Sequence, residues 1–203
     1  MKPIRKTMRK NVDQTRKIAI ISTFLIAIIF LIIYMSGYRL NGLSAARANH
    51  FIPKDSVLID QVKMDWGDVY MFNTPDKPVT AVSIKHGKIL WRSNLSTFYY
   101  KTSDPVQTIG GILLNNPNEK ATVFTVLVKD RNVKFIEIGS KLNKIRKKVI
   151  IDTPITFSWP ISMDWNDLQP RAYGDEGILY EYRYKEKNIT KPEDLKWYST
   201  LAE

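Results

Sequence analysis

The sequence predicts a mainly β fold: one N-terminal transmembrane helix, then an antiparallel β sandwich or half-open barrel with little helix. Three observations carry this. Residues 18–38 form one uninterrupted apolar run. Beyond residue 56 the apolar residues come in short runs separated by turn signals, the pattern of strands. Several of those runs alternate with period two, which puts successive side chains on opposite faces of a sheet.

The apolar run, IAIISTFLIAIIFLIIYMSGY, holds twenty-one residues without a charge. At 1.5 Å per residue it reaches about 30 Å, the thickness of a bilayer core. Tyr34 and Tyr38 lie near one end, where amphipathic rings favour the headgroup level. Seven basic residues (Lys2, Arg5, Lys6, Arg9, Lys10, Arg16, Lys17) and one acid, Asp13, precede it. That leaves 24 basic and 19 acidic residues of the total net charge of +11. Only Arg39, Arg47 and Lys54 follow the run closely. The asymmetry predicts a basic cytoplasmic tail over 1–17, a membrane span over 18–38, a stalk over 39–56 and an extracytoplasmic domain over 57–203. A soluble secreted protein is the alternative, with signal cleavage after Ala48 in Ala46-Arg47-Ala48. The apolar run is much longer than the ~7–15 residues of a signal core, which favours the anchor. The chain has no cysteine, which excludes a lipidated cysteine, disulfides, zinc–thiolate sites and a cysteine nucleophile.

In the outer segment a short helical turn is expected within the stalk, at Leu43–Ala48. Val69–Phe72 reads as a strand ended by Asn73–Pro78. Val79–Ile84 and Ile89–Trp91 flank His86-Gly87. A two-residue loop there would set Ile84 opposite Ile89 and Val82 opposite Trp91. Ala121–Lys129 is apolar on both faces except for Thr125, so it reads as a central strand. Val133–Ile138 is a strand and Gly139–Lys148 a basic connection. Val149–Ile151, Ile155–Trp159 and Ile178–Tyr184 follow as strands. In the last, Tyr180, Tyr182 and Tyr184 share one face, with Glu181 and Arg183 on the other. Thr190-x-x-Glu193 resembles a capping box before a helical turn through Leu195–Tyr198. Pro105–Leu114 stays open: Asp104-Pro105 suits a helix start, and Gly110-Gly111 argues against continuing one. Seven to nine strands are expected.

Two motifs stand out. MDWGD covers Met64–Asp68 and MDWND covers Met163–Asp167. Asp65, Asp68, Asp164 and Asp167 could supply carboxylates to a calcium-like ion, although no ligand ladder accompanies them. They could instead mark a binding surface, or sit in turns beside packed tryptophans. The flanks part company after the motif, because the first copy runs into VYMF and the second meets Gln169-Pro170. The second motif is the basic run Lys141, Lys144, Arg146, Lys147, Lys148. It reads as a solvated connection that discourages edge pairing, or as a surface for anionic wall polymer or lipid headgroups. No aromatic interleaving there suggests stacking on nucleic acid bases, so nucleic acid is not an expected partner.

No catalytic signature appears. His50 and His86 have no metal-ligand spacing, and Ser-x-x-Lys and Gly-x-Ser-x-Gly are absent. No cofactor and no metal is expected. Asp65, Asp68, Glu137, Asp164, Asp167, Asp175 and Glu176 are available for a carboxylate pair. The strings WGDVYMFNT, KILWRSN, VKFIEIG, ITFSWP, MDWNDLQP and LKWY, in that order across Lys63–Tyr198, resemble small single-pass or secreted proteins of Gram-positive bacteria. That resemblance implies an extracytoplasmic domain of a cell envelope and brings no activity or site residue with it. The expected function is a non-catalytic binding or accessory module at the bacterial envelope, with wall polymer or another envelope protein as partner. The alternative is an envelope glycan hydrolase using a carboxylate pair. Oligomeric state is left open.

Overall fold

The computed structural model describes residues 3–185 and 191–200, with side chains from residue 14 onward. Helix α1 runs from Pro3 to Met35. Its stretch Gln14–Met35 is long and apolar enough to cross a membrane, and none of that window is buried against the rest of the chain. The helix stops three residues short of the expected end. Tyr38 N–H bonds to Ile33 O at 3.3 Å and Gly37 N–H to Tyr34 O at 3.1 Å. Gly37 sits at φ +86°. This is a Schellman cap, and it needs a residue tolerant of the left-handed region.

Twelve strands lie in three antiparallel sheets among the described residues. The first sheet is a meander of β1 (Val57–Lys63), β2 (Gly67–Asn73), β3 (Pro78–His86) and β4 (Leu90–Phe98). The middle sheet has the order β5 (Val106–Asn115), β6 (Lys120–Val128), β9 (Ile155–Trp159). The third sheet is ordered β12 (Lys196–Ser199), β11 (Ile178–Arg183), β10 (Arg171–Tyr173), β7 (Phe135–Ile138), β8 (Ile145–Lys148). Two short helices, α2 (Gly42–Arg47) and α3 (Trp165–Leu168), complete the unit.

The doubly apolar β6 explains the layering. Ala121 and Val123 pack with Val69, Met71 and Val82 of the first sheet. Phe124, Val126 and Val128 pack with Ile136, Ile138 and Trp197 of the third. Alternate residues of one strand thus feed two cores, and the domain is sandwich-like with a shared middle layer. Pro105–Leu114 resolves as strand β5, and its glycines have a packing reason. A Cβ on Gly110 would lie 2.6 Å from Met71 Cγ, so only glycine lets β5 approach β2 this closely.

Several expectations are corrected. The segment 39–56 is not a free stalk. Asn41 caps α2 by accepting from Ser44 N–H, and Ala45, Ala46 and Ile52 are buried. They cover the outer face of the first sheet with Tyr70, Phe72, Val79 and Ala81. Its small alanines permit that close seating. The β3–β4 loop has three residues, Gly87–Ile89, so His86 pairs with Leu90 and Lys85 with Trp91. Ile89 is thereby thrown to the tip and is 67% exposed. A bulge on β4 restores the parity, pairing Val82 with Leu95 on the core side. The connection Gly139–Lys148 contains strand β8, paired to β7. Val149–Ile151 forms no strand; Val149 and Ile151 pack on the core from a turn. Leu195–Tyr198 is mostly strand β12, after a short 3-10 turn at Pro192–Asp194. Thr190, of the expected capping box, lies outside the described residues.

Candidate functional site

The two MDW motifs land on opposite faces of the middle sheet. Met64 and Gly67 close the β1–β2 turn through paired backbone bonds of 2.8 and 3.4 Å. Trp66 donates its indole N–H to Lys120 O at 3.2 Å and packs on the core between the first and middle sheets. Asp65 is exposed at this turn. Asp68 is buried and accepts from Tyr70 Oη at 2.8 Å, so it is no surface ligand. In the second copy, Met163 is buried on the other core and donates its N–H to Thr122 Oγ1. Asp164 caps α3 by accepting from Asn166 N–H at 2.9 Å, and Asp167 sits exposed within α3. Gln169, left-handed at φ 39°, ends the helix ahead of Pro170. The four aspartates therefore divide between two sites. Among the described residues no three His, Cys, Asp or Glu side chains cluster as a metal site.

The basic run is divided by strand pairing. Ile145 turns inward against the third-sheet core. Arg146 faces outward and bonds to Glu137 at 2.7 Å, and Lys144 reaches the same carboxylate at 3.1 Å. Tyr173 Oη donates to it at 3.2 Å. Burial alone would raise the Glu137 pKa, but hydrogen bonds from Lys144, Arg146 and Tyr173 and the Lys144 charge more than offset this, and it lies below the usual value. Lys147 bonds Thr156 O at 2.6 Å. Lys141 and Lys148 are exposed. Across the outer face of the third sheet the register sets Arg146, Glu137, Arg171 and Glu181 side by side, and Arg171 pairs with Glu181 at 3.0 Å. This is a charge-compensated face, and the basic residues of β8 lie on an edge strand, where they discourage further pairing. Asp175 and Glu176 are exposed in the β10–β11 turn.

The feature with the form of a binding site lies elsewhere, where the ends of β4 and β11 meet the start of β5, α3 and β12. A cleft of about 340 Å³ opens there. Its walls are aromatic: Phe98, Tyr99, Tyr100, Trp165, Tyr182, Tyr184 and Trp197, with Asp104, Gln107, Glu193 and Lys196 as polar groups. A second hollow, of about 490 Å³, continues from it past Trp165, Tyr182, Tyr184 and Leu195. Apolar walls with a few placed polar groups are the usual form of a ligand pocket.

The walls are held rigidly. Phe124 makes edge contacts with Trp165 at 5.6 Å and with Tyr182 at 5.2 Å, and Tyr182 packs on Trp197 at 5.6 Å. Trp197 donates its indole N–H to Thr108 Oγ1 at 3.1 Å, and Thr108 also hydrogen-bonds Tyr182. Desolvation pushes the Tyr182 phenol pKa upward, so it remains a neutral hydroxyl. Gln107 donates to Asp104 O at 2.9 Å, which fixes the entry into β5. Trp165 and Tyr184 are each 37% exposed and Tyr100 is 49% exposed, so parts of the rings stay open to a ligand.

The sequence singled out Trp165 only as part of its motif, and Tyr182 and Tyr184 only as rings on one face of a strand; none of the three was expected as a site residue. Sequence reasoning missed the segment Phe98-Tyr99-Tyr100, whose three adjacent rings after a strand were the available signal. Compared with models of known families, with curated proteins and with solved structures, the chain matches none.

Proposed function

We propose that this chain is a membrane-anchored, outward-facing binding module of a bacterial cell envelope, and that its aromatic cleft holds a segment of wall glycan. The observation that carries this reading is the cleft itself. Aromatic faces offer flat apolar contact to the C–H faces of sugar rings, and Asp104, Gln107, Glu193 and Lys196 offer hydrogen bonds to hydroxyl and acetamido groups. Orientation rests on charge: seven basic residues precede the apolar helix, which favours a cytoplasmic N-terminus. Anchoring is supported further by α2. Cleavage after Ala48 would remove the buried Ala45 and Ala46 and uncover Tyr70 and Phe72.

Hydrolysis by a carboxylate pair is the weaker reading. Asp104 and Glu193 do line one cleft. A general acid for glycan cleavage needs an apolar setting that keeps it protonated. Asp104 is only half-buried and Glu193 is exposed.

The test is titration of the full chain in detergent with soluble wall-glycan fragments, followed by tryptophan fluorescence. Saturable binding that is lost in Trp165→Ala supports the proposal. Equal response of wild type and Trp165→Ala, or release of reducing ends from the glycan, overturns it.

A further inference from the structure

The apolar helix joins the domain with almost no slack. Only Ser36–Tyr38 separate the end of α1 from Arg39, which pairs with Trp91 on β4 through backbone bonds of 2.8 Å in both directions. Arg39 also donates to Tyr34 O and Tyr38 O at 2.8 and 2.7 Å, and its guanidinium lies 3.9 Å over the Tyr34 ring. Tyr38 makes an edge contact with His86 at 5.4 Å, and Arg92 lies 5.4 Å from the Tyr38 ring. The tip of the β3–β4 hairpin is therefore held beside the very turn of helix where the apolar stretch ends.

That tip is built for an interface. Ile89 is 67% exposed and Leu40, next to Arg39, is 74% exposed. Lys85 and Lys88 are exposed beside them, and Lys85 lies 5.9 Å from the Trp91 ring. Both stretches that meet here lack acids: residues 14–54 and 77–103 contain no Asp or Glu. Exposed aliphatic residues ringed by Lys, Arg, Tyr and Trp, at the end of an apolar span, match the apolar-below, polar-above profile of the headgroup layer. Cations near that surface are each worth about 1 kcal/mol toward anionic lipid.

We infer that the β3–β4 hairpin tip is a second membrane contact: Ile89 and Leu40 enter the acyl boundary of the leaflet the domain faces, and Arg39, Lys85, Lys88 and Arg92 bind its lipid phosphates. Continuity with the apolar helix and the sign of the charge select the lipid surface as occupant. The inference rests on the anchoring reading and is independent of which side of the membrane the domain occupies. Its consequence is that the domain is seated on the bilayer at a fixed tilt, with the hairpin tip adding a second support to the short junction.

Spin labels on single cysteines test this in the full chain, which has no native cysteine. Ile89→Cys, Leu40→Cys, Phe24→Cys and Leu142→Cys are placed in nanodiscs holding one third phosphatidylglycerol. Accessibility to oxygen is compared with accessibility to a water-soluble nickel chelate. Labels at 89 and 40 are expected to favour oxygen several-fold over the label at 142, which is 93% exposed on the β7–β8 loop. Lys85→Glu with Lys88→Glu is expected to shift the label at 89 toward the chelate. A label at 24 in lipid with labels at 89 and 40 as wet as 142 overturns the inference alone. A label at 24 that is itself wet overturns the anchoring reading, and the inference with it.

Discussion

Trp197, on the last strand, donates its indole N–H to the Thr108 hydroxyl at 3.1 Å, across 89 residues of sequence. The bond ties the free edge strand of the third sheet to the middle sheet. Both residues are nearly buried, so little of the pair is open to water. Thr108→Val keeps the shape and strands the N–H, and should cost about 1–3 kcal/mol. Trp197→Phe in the Thr108→Val background should recover part of that loss, because it removes the orphaned donor. Denaturant unfolding of the two single variants and the double variant measures the coupling. Additive losses would show that the bond carries no energy.

Docking of α2 depends on Gly42. A Cβ there would lie 2.7 Å from Tyr70 Oη, 3.0 Å from Asp68 Oδ2 and 3.1 Å from Trp91 Cε3. All three belong to the first sheet, and Tyr70 and Asp68 are already bonded to each other. Ser83 Oγ donates to Gly42 O at 2.8 Å, which fixes the position of the helix start. Gly42→Ala should therefore lift α2 and destabilise the domain by about 1–3 kcal/mol, the usual cost of overpacking. Limited trypsin cleavage at Arg47 should accelerate in parallel. Unchanged cleavage with unchanged stability would place α2 as a passive linker.

Acid sensitivity should centre on Glu137. Its folded pKa is lowered, because Lys144, Arg146 and Tyr173 together more than offset the penalty of burial. A lowered carboxylate contributes stability that is fully present above its unfolded pKa. That contribution fades as pH falls through the folded value. The unfolded value lies near the model-peptide figure of about 4.3. Glu137→Gln should be less stable than the parent at pH 7, and the gap should narrow below pH 4. Unfolding curves at pH 7, 5 and 3.5 test the sign. A gap that widens on acidification would contradict it.

The layers of this fold were legible where one strand carried a complete signal. In β6 the residues Ala121–Val128 are apolar on both faces, and that alone implies a sheet covered on both sides. The alternation of Tyr180 and Tyr182 likewise puts both rings on one face, where they pack against the core, whereas Tyr184 lies past the end of β11 and is 37% exposed. Docking of residues 39–56 was not legible, because its fully buried residues are small or polar apart from Ile52 (Gly42, Ala45, Ala46, Asn49, Ser56), which gives no strong periodic contrast. The β3–β4 register failed for a different reason. A three-residue loop and a bulge on β4 together preserve the buried parity, so the hydrophobic pattern fits either pairing. The cleft was hidden because its walls come from five separate elements. Only Trp165 stood out beforehand, and it did so through a match of four letters in five that the structure separates into a β-turn and a short helix.

That separation supplies an internal control for the cleft. Trp66 and Trp165 share the same motif, but Trp66 packs toward the first sheet while Trp165 lines the cleft. Trp165 touches Phe124 only by an edge contact at 5.6 Å, and over a third of its surface is open. Trp165→Ala should therefore cost little stability, about 1–2 kcal/mol from the lost ring contact and burial. Loss of a rigid aromatic anchor typically removes at least 2 kcal/mol of binding, more than tenfold in affinity. Tyr184→Ala, at the junction of the two hollows, should weaken binding in the same direction. Trp66→Phe loses its bond to Lys120 O but lies across the sheet, so glycan affinity should stay at the parent value. Isothermal titration of the three variants against the same wall-glycan fragments decides the matter. Equal weakening by Trp66→Phe and Trp165→Ala would mean that binding follows fold stability and not the cleft.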